Sequence, residues 1–176
     1  MNQSTWTAVD TYFEKAFIPQ DDVLEAALTA SDAADLPQIN VAPNQGKLLM
    51  LLAKSMNAQH ILEVGTLGGY STIWLARALG PDGRIITLEM DPKHAEVAQN
   101  NIAHAGFADQ VDVRIGVAVE TLQAMTTEDL LPFDFVFIDA DKENNTNYFN
   151  YALHMSRPGT VIIMDNVVRQ GKVIDA

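Results

Sequence analysis

Three features of the sequence predict an α/β fold, a doubly wound and mainly parallel sheet preceded by N-terminal helices. From about residue 58 onward, short apolar runs alternate with segments of helical periodicity. Five such runs joined by four helical segments imply parallel strands with right-handed crossovers. A glycine-rich turn, Gly65-Thr66-Leu67-Gly68-Gly69, follows the first run, where a doubly wound sheet places its nucleotide site.

The N-terminal part, about residues 1–57, reads as helical. Val9, Tyr12, Phe13 and Phe17 recur at helical spacing and stop before Pro19. Asp21 and Asp22 can cap a second helix that carries Val23, Leu24, Ala27 and Leu28. Residues 31–43, broken by Pro37 and Pro43, read as a connector, and Asn44 as the cap of a third helix bearing Leu48, Leu49, Leu52 and Met56. In the sheet core, about 58–176, the expected strands are His60–Val64, Arg84–Glu89, Val111–Ile115, Phe133–Ile138 and 160–164. The expected helices are 71–79, 92–105, 119–125 and 145–155, with Asp91 capping and Pro92 in the first turn of the second of these. Gly80-Pro81-Asp82-Gly83 and Arg157-Pro158-Gly159 are turn punctuation. With no repeat, low-complexity tract or linker, 1–176 is expected to be a single domain.

A chain of 176 residues, 48% of them apolar, can build one sizeable core. No apolar run is long enough to span a bilayer, and the polar residues 1–8 lack the basic start and apolar stretch of a secretory signal. Cysteine is absent, which excludes disulfides, thiolate metal sites and a cysteine nucleophile. The expectation is a cytoplasmic protein with no membrane partner. The formal charge is −12, from 11 basic and 23 acidic residues, and the basic residues are scattered. A protein that tracks nucleic-acid phosphates gathers its Lys and Arg, so the charge argues against a nucleic-acid partner. Acidity that simply maintains solubility is an equal reading.

The dinucleotide fingerprint needs G-x-G-x-x-G, but Leu67 fills its second glycine position. A pyrophosphate across this turn is therefore disfavoured, and a nucleoside ligand without phosphates fits better. Glu89, at the end of the second strand, can accept hydrogen bonds from both ribose hydroxyls, although a solvated strand-end carboxylate would look the same.

A second cluster lies at the ends of the fourth and fifth strands. Ile138-Asp139-Ala140-Asp141-Lys142 follows one apolar run and Met164-Asp165-Asn166 the other. Adjacent parallel strands would gather Asp139, Asp165 and Asn166 at the carboxyl edge of the sheet. Three oxygen donors without Cys or His suit a hard cation, Mg²⁺ first, with Mn²⁺ or Ca²⁺ as alternatives. Caps and turns also favour Asp and Asn, which is the plainer reading. Lys142, three residues beyond Asp139, can face the same pocket or simply the solvent. His60, His94, His104 and His154 show no metal-ligand spacing and read as structural or solvent-facing.

The order and spacing of E-V-G-T-x-x-G-Y-S, Glu89, I-D-A-D-K and D-N resemble the cation-dependent O-methyltransferases, the family of catechol and caffeoyl-CoA O-methyltransferases. The resemblance runs from about Val41 to the end of the chain. It implies the Rossmann-like methyltransferase fold, S-adenosylmethionine (SAM) as methyl donor, a divalent cation and a small hydroxyl-bearing substrate of catechol or hydroxycinnamoyl type. Asp139, Asp165 and Asn166 match the family's metal ligands, and Lys142 its general base. Glu63, Gly65, Thr66 and Ser71 match contacts to the methionine portion of SAM, with Val41 a further backbone contact. Glu89 matches the ribose-binding acid, Met90 and Ala118 match positions at the adenine, and Asp141 matches another SAM contact. Relatives commonly form dimers, which implies a homodimer. Family members continue into two more strands of a seven-stranded sheet, whereas this sequence stops ten residues after Asn166. The expectation is therefore a C-terminally truncated chain whose last strands are absent.

Three other readings stay open at this level. Some relatives methylate hydroxyuridine in tRNA, which the acidity disfavours. A chain lacking the last strands can bind SAM without catalysis. A nicotinamide-dependent dehydrogenase is weakened by Leu67 and leaves the Asp165-Asn166 pair unexplained.

Overall fold

The computed structural model describes residues 2–175. Among them, seven α-helices surround one five-stranded sheet. Three helices come first: α1 (Gln3–Phe17), α2 (Asp22–Ala33) and α3 (Pro43–Ser55). Strands and helices then alternate through β1 (His60–Val64), α4 (Tyr70–Ala76), β2 (Arg84–Glu89), α5 (Pro92–His104) and β3 (Val111–Ile115). They continue through α6 (Ala118–Met125), β4 (Phe133–Ile138), α7 (Asn145–His154) and β5 (Ser156–Met164). Every strand pair is parallel, and the order is β3-β2-β1-β4-β5.

Alternate side chains of β1, β2 and β4 serve two different cores, as the pleat requires. On one face Ile61, Ile85, Phe135 and Phe137 pack under α2, α3, α4 and α5. On the other, Leu62, Leu88, Val136 and Ile138 pack under α6 and α7. Burial on both faces explains why these strands read as continuous apolar runs. The chain direction across the sheet reverses between β1 and β4, and this opens a crevice at their carboxyl ends.

Several local expectations need correction. Asn44 does not cap α3: Ala42 is the N-cap and Pro43 takes the first helical position, where its missing N–H costs nothing. β5 begins at Ser156, earlier than residue 160, and contains the Arg157-Pro158-Gly159 segment as an irregularity. There Thr160 Oγ1 accepts from Arg157 N at 3.0 Å and donates to Phe133 O at 2.7 Å, so the extra residues stay tied to β4. α4 stops at Ala76, three residues short of the expected end. Asp21 does cap α2, accepting from Leu24 N at 3.1 Å while also pairing with Arg77 at 2.6 Å. α1 buries none of its side chains, and Tyr12, Phe13 and Phe17 are exposed on it.

Candidate functional site

The crevice holds a cavity of about 680 Å³, within the range of ligand pockets. Its floor is the turn between β1 and α4. Gly65 (φ 100°) and Gly69 (φ 80°) adopt left-handed conformations that glycine takes without steric cost. Leu67 is left-handed too (φ 51°), and the Glu89 carboxylate holds it by accepting from Leu67 N at 2.7 Å. Asn101 of α5 fastens the same turn, donating to Gly68 O at 2.9 Å and to Ala27 O at 3.2 Å.

Most of the residues singled out in the sequence line this cavity: Val41, Gly65, Thr66, Ser71, Glu89, Met90, Ala118, Asp139, Asp141, Lys142 and Asn166. Met90 is 68% exposed, so its side chain offers an apolar surface with little of its own packing to lose. Two residues lie outside the lining. Asp165 sits beside it at the tip of β5. Glu63 lies beneath the floor, 0% exposed. Its Oε1 accepts from Ser71 at 2.7 Å, and its Oε2 from Thr72 at 2.5 Å and Thr87 at 2.6 Å. Burial pushes this carboxyl up to about 6, against the opposing pull of the three hydroxyls.

The acidic cluster is set by register. Ile138 pairs with Met164, so Asp139 and Asp165 leave adjacent strand tips together, and Asp165 N donates to Ile138 O at 2.9 Å. Asp139 Oδ1 accepts from Lys142 Nζ at 2.8 Å. Asp165 Oδ1 accepts from Asn166 N at 2.7 Å, and its Oδ2 accepts from Gln45 Nε2 at 2.6 Å. Among the described residues no three of His, Cys, Asp and Glu gather to hold a metal ion, and the Asn166 amide donates to Asp165 Oδ1 at 3.2 Å. Two carboxylates and one amide oxygen suit a hard divalent cation and offer nothing to a soft one.

Asp141 accepts from Tyr148 Oη and, at 2.7 Å, from Asn144. Burial works to raise its carboxyl, but these hydrogen bonds outweigh it and hold the group below the usual range. Burial and the adjoining Asp141 carboxylate both push the Tyr148 phenol up.

Sequence reasoning missed Gln45, Tyr148 and Asn101, whose neutral side chains carry no motif. It also takes His94 as structural or solvent-facing, whereas His94 lines the cavity with Nδ1 3.7 Å from Glu89 Oε1. Its position five residues after Glu89, in the first turn of α5, is the available signal.

Comparisons with known proteins place the chain in a family. A family model described as O-methyltransferase matches residues 17–176. A catechol O-methyltransferase from Niastella koreensis is 53% identical over 175 residues, which cover 99% of this chain and 79% of that protein. An O-methyltransferase from Bacillus cereus, solved in complex with SAH, superposes with a TM-score of 0.95 at 56% identity, covering 98% of this chain and 78% of that one. The O-methyltransferase TomG from Streptomyces achromogenes, solved with SAM, gives a TM-score of 0.94 at 46% identity, covering 99% and 78%. The chain belongs to the O-methyltransferase family.

Proposed function

We propose that this chain transfers the methyl group of SAM to a hydroxyl of a small catechol-like or hydroxycinnamoyl-type molecule, with the help of a divalent cation. The observation that carries the reading is the meeting of Asp139, Lys142 and Asn166 on a cavity whose lining also contains Glu89, Met90 and Ala118. The residues proposed for donor and acceptor thus line one space. Family membership and the SAM and SAH complexes of similar proteins support the donor; the hard-oxygen donor set supports the cation.

Glu89 would accept the ribose hydroxyls on lone pairs left beside its bonds to Leu67 N and Asp91 N. Val41 and Ser71 would hold the methionine portion, and Met90 and Ala118 would flank the adenine. Asp139, Asp165 and Asn166 would hold the cation, whose bound charge lowers the proton affinity of a nearby hydroxyl. With the cation on Asp139 in place of the Lys142 ammonium, Lys142 would first release a proton to solvent, and its neutral Nζ would then receive the hydroxyl proton. The oxygen then attacks the methyl carbon as the carbon–sulfur bond breaks, leaving a neutral thioether. Alignment of the two reactants supplies a term that reaches roughly 7–11 kcal/mol in well-oriented systems.

Labelled SAM offered with a catechol, a monohydroxylated analogue and tRNA, with Mg²⁺ or with a chelator, tests the reading. Expected is transfer to the vicinal diol that falls roughly 100-fold with chelator and in Asp139→Ala, while SAM affinity changes only a few-fold. Turnover indifferent to chelator would remove the cation from the mechanism. Methylation of tRNA alone would replace the substrate class.

A further inference from the structure

Leu28 and Tyr70 form a wall with a separate space on either side of it. One space is the cavity of the candidate site. The other is a recess of about 460 Å³ bounded by the end of α1, the start of α2 and Pro43 at the head of α3. Its size lies within the range of ligand pockets, and none of the residues assigned to methyl transfer lines it.

The buried end of the recess holds a proton with no acceptor. Tyr70 is 6% exposed, and its phenol faces this side, where Asp21 and Glu14 are the carboxylates that act on it. Burial pushes the phenol above its ordinary value, against the pull of Trp74, and the two carboxylates add to the rise. It therefore stays protonated at neutral pH. Trp74, one turn further along α4, is also buried, and its Nε1 has no hydrogen-bond partner among the described residues. An indole N–H only donates, and a phenol has one proton to give. Even with the indole turned to the phenol oxygen, the phenol proton is left over. Asp21 does not take it, because its oxygens accept from Leu24 N and the Arg77 guanidinium. Nor can the indole swing away: a Cβ on Gly46 would stand 2.3 Å from Trp74 Cδ1, and Arg77 lies over the ring at 5.4 Å. A buried donor without a partner costs about 1–3 kcal/mol, which an oxygen atom of a ligand would relieve.

The mouth has the opposite character. Glu14 is half-buried and Glu25 exposed, and neither has an ion-pair partner among the described residues. Arg77 neutralises Asp21 at 2.6 Å, so the two glutamates outnumber Lys15, the one basic group of the lining. Ile18, Leu24 and Leu28 supply apolar walls between the two ends.

We propose that this recess is a binding site for a small amphipathic amine, whose oxygen accepts from Tyr70 at the buried end and whose ammonium meets Glu14 and Glu25 at the mouth. The site is distinct from the cavity assigned to SAM and does not depend on that assignment.

Tyramine, phenethylamine and 4-ethylphenol share one ring and chain and differ in which polar end they carry. In a Trp6→Phe background Trp74 is the one tryptophan left, and its fluorescence reports each titration. Tyramine is expected to bind roughly 3- to 10-fold more tightly than either of the others. Tyr70→Phe, which removes only the hydroxyl, is expected to cancel the advantage over phenethylamine. Glu14→Gln combined with Glu25→Gln is expected to cancel the advantage over 4-ethylphenol. These two changes lie at the surface, so they decide the matter should Tyr70→Phe fail to fold. Tyramine affinity unaltered by the glutamines would put the amine elsewhere and overturn the proposal. The absence of any saturable change in Trp74 emission would leave the recess to water and overturn it equally.

Discussion

Replacing Glu63 by Gln is expected to stabilise the ligand-free protein at neutral pH and to lose that advantage in acid. The carboxyl moves from an ordinary 4.5 to about 6 because its full burial outweighs three hydrogen bonds, and the charge of Asp139 adds to the rise. A folded-state value above the unfolded one means the native state holds this proton more tightly. The associated stability is fully present below 4.5 and is lost as pH climbs through about 6. At pH 7.5 the ionised group therefore costs the fold about 2 kcal/mol. Glutamine carries no charge to desolvate, but its amide leaves one reoriented hydroxyl poorly bonded, at about 1 kcal/mol. The net expectation is a variant about 1 kcal/mol more stable at pH 7.5 and about 1 kcal/mol less stable near pH 4.5. Urea denaturation of both proteins at the two pH values measures this, and every other titrating group cancels in the difference. A difference that stays constant between the two pH values would refute the argument, because it would mean that Glu63 is not charged and strained in the native state.

Other substitutions separate the parts of the site. Gln45→Ala removes the donor to Asp165 Oδ2 and is expected to weaken Mn²⁺ binding by roughly 10-fold with SAM affinity unchanged, as followed by paramagnetic resonance and calorimetry. Asp134→Ala leaves Gln59 N, His60 N and Arg157 without their shared acceptor and is expected to cost about 2–4 kcal/mol in urea denaturation, with turnover unchanged under folding conditions. Burial opposes ionisation of Asp134, but the backbone N–H groups and Arg157 outweigh it and hold the carboxyl below its ordinary value. Its contribution is thus present at neutral pH and should disappear as acid titrates it through that lowered range.

The centre of the sheet is legible in the sequence because both of its faces are covered, so β1, β2 and β4 stand out as apolar runs, while β3 is marked by alternation, and the ends of all four coincide with the expected ones. The carboxylates of the site are legible for a similar reason: Asp139, Asp165 and Glu89 end such runs, and parallel topology alone gathers strand ends. What lies beyond reach depends on contacts across long stretches of sequence. Gln45 meets Asp165 across 120 residues, and Asn101 reaches Gly68 across 33. Neither side chain differs in type from a surface amide. The start of the third helix is misplaced because Pro43 reads as a breaker, when its fixed φ is equally suited to the first helical turn. Arg157-Pro158-Gly159 carries turn chemistry, and the structure absorbs it within β5 as an irregularity between the pairs Phe133–Ser156 and Phe135–Val161, where proline is tolerated.

The two halves of the site are joined by backbone contact, which limits how independently they can vary. A Cβ placed on Gly65 would stand 2.2 Å from Asp139 O, so the turn that floors the cavity and the strand tip that bears a candidate cation ligand already touch. Asp139 N also donates to Val64 O at 2.9 Å, one residue before that glycine. A side chain at position 65 must push β1 and β4 apart where they pair. Glycine at this position is therefore a requirement of the close approach of the two strand tips as much as of turn conformation. Gly69 lacks the first of these two constraints, because a Cβ added there would come no closer than 3.4 Å to Ala98.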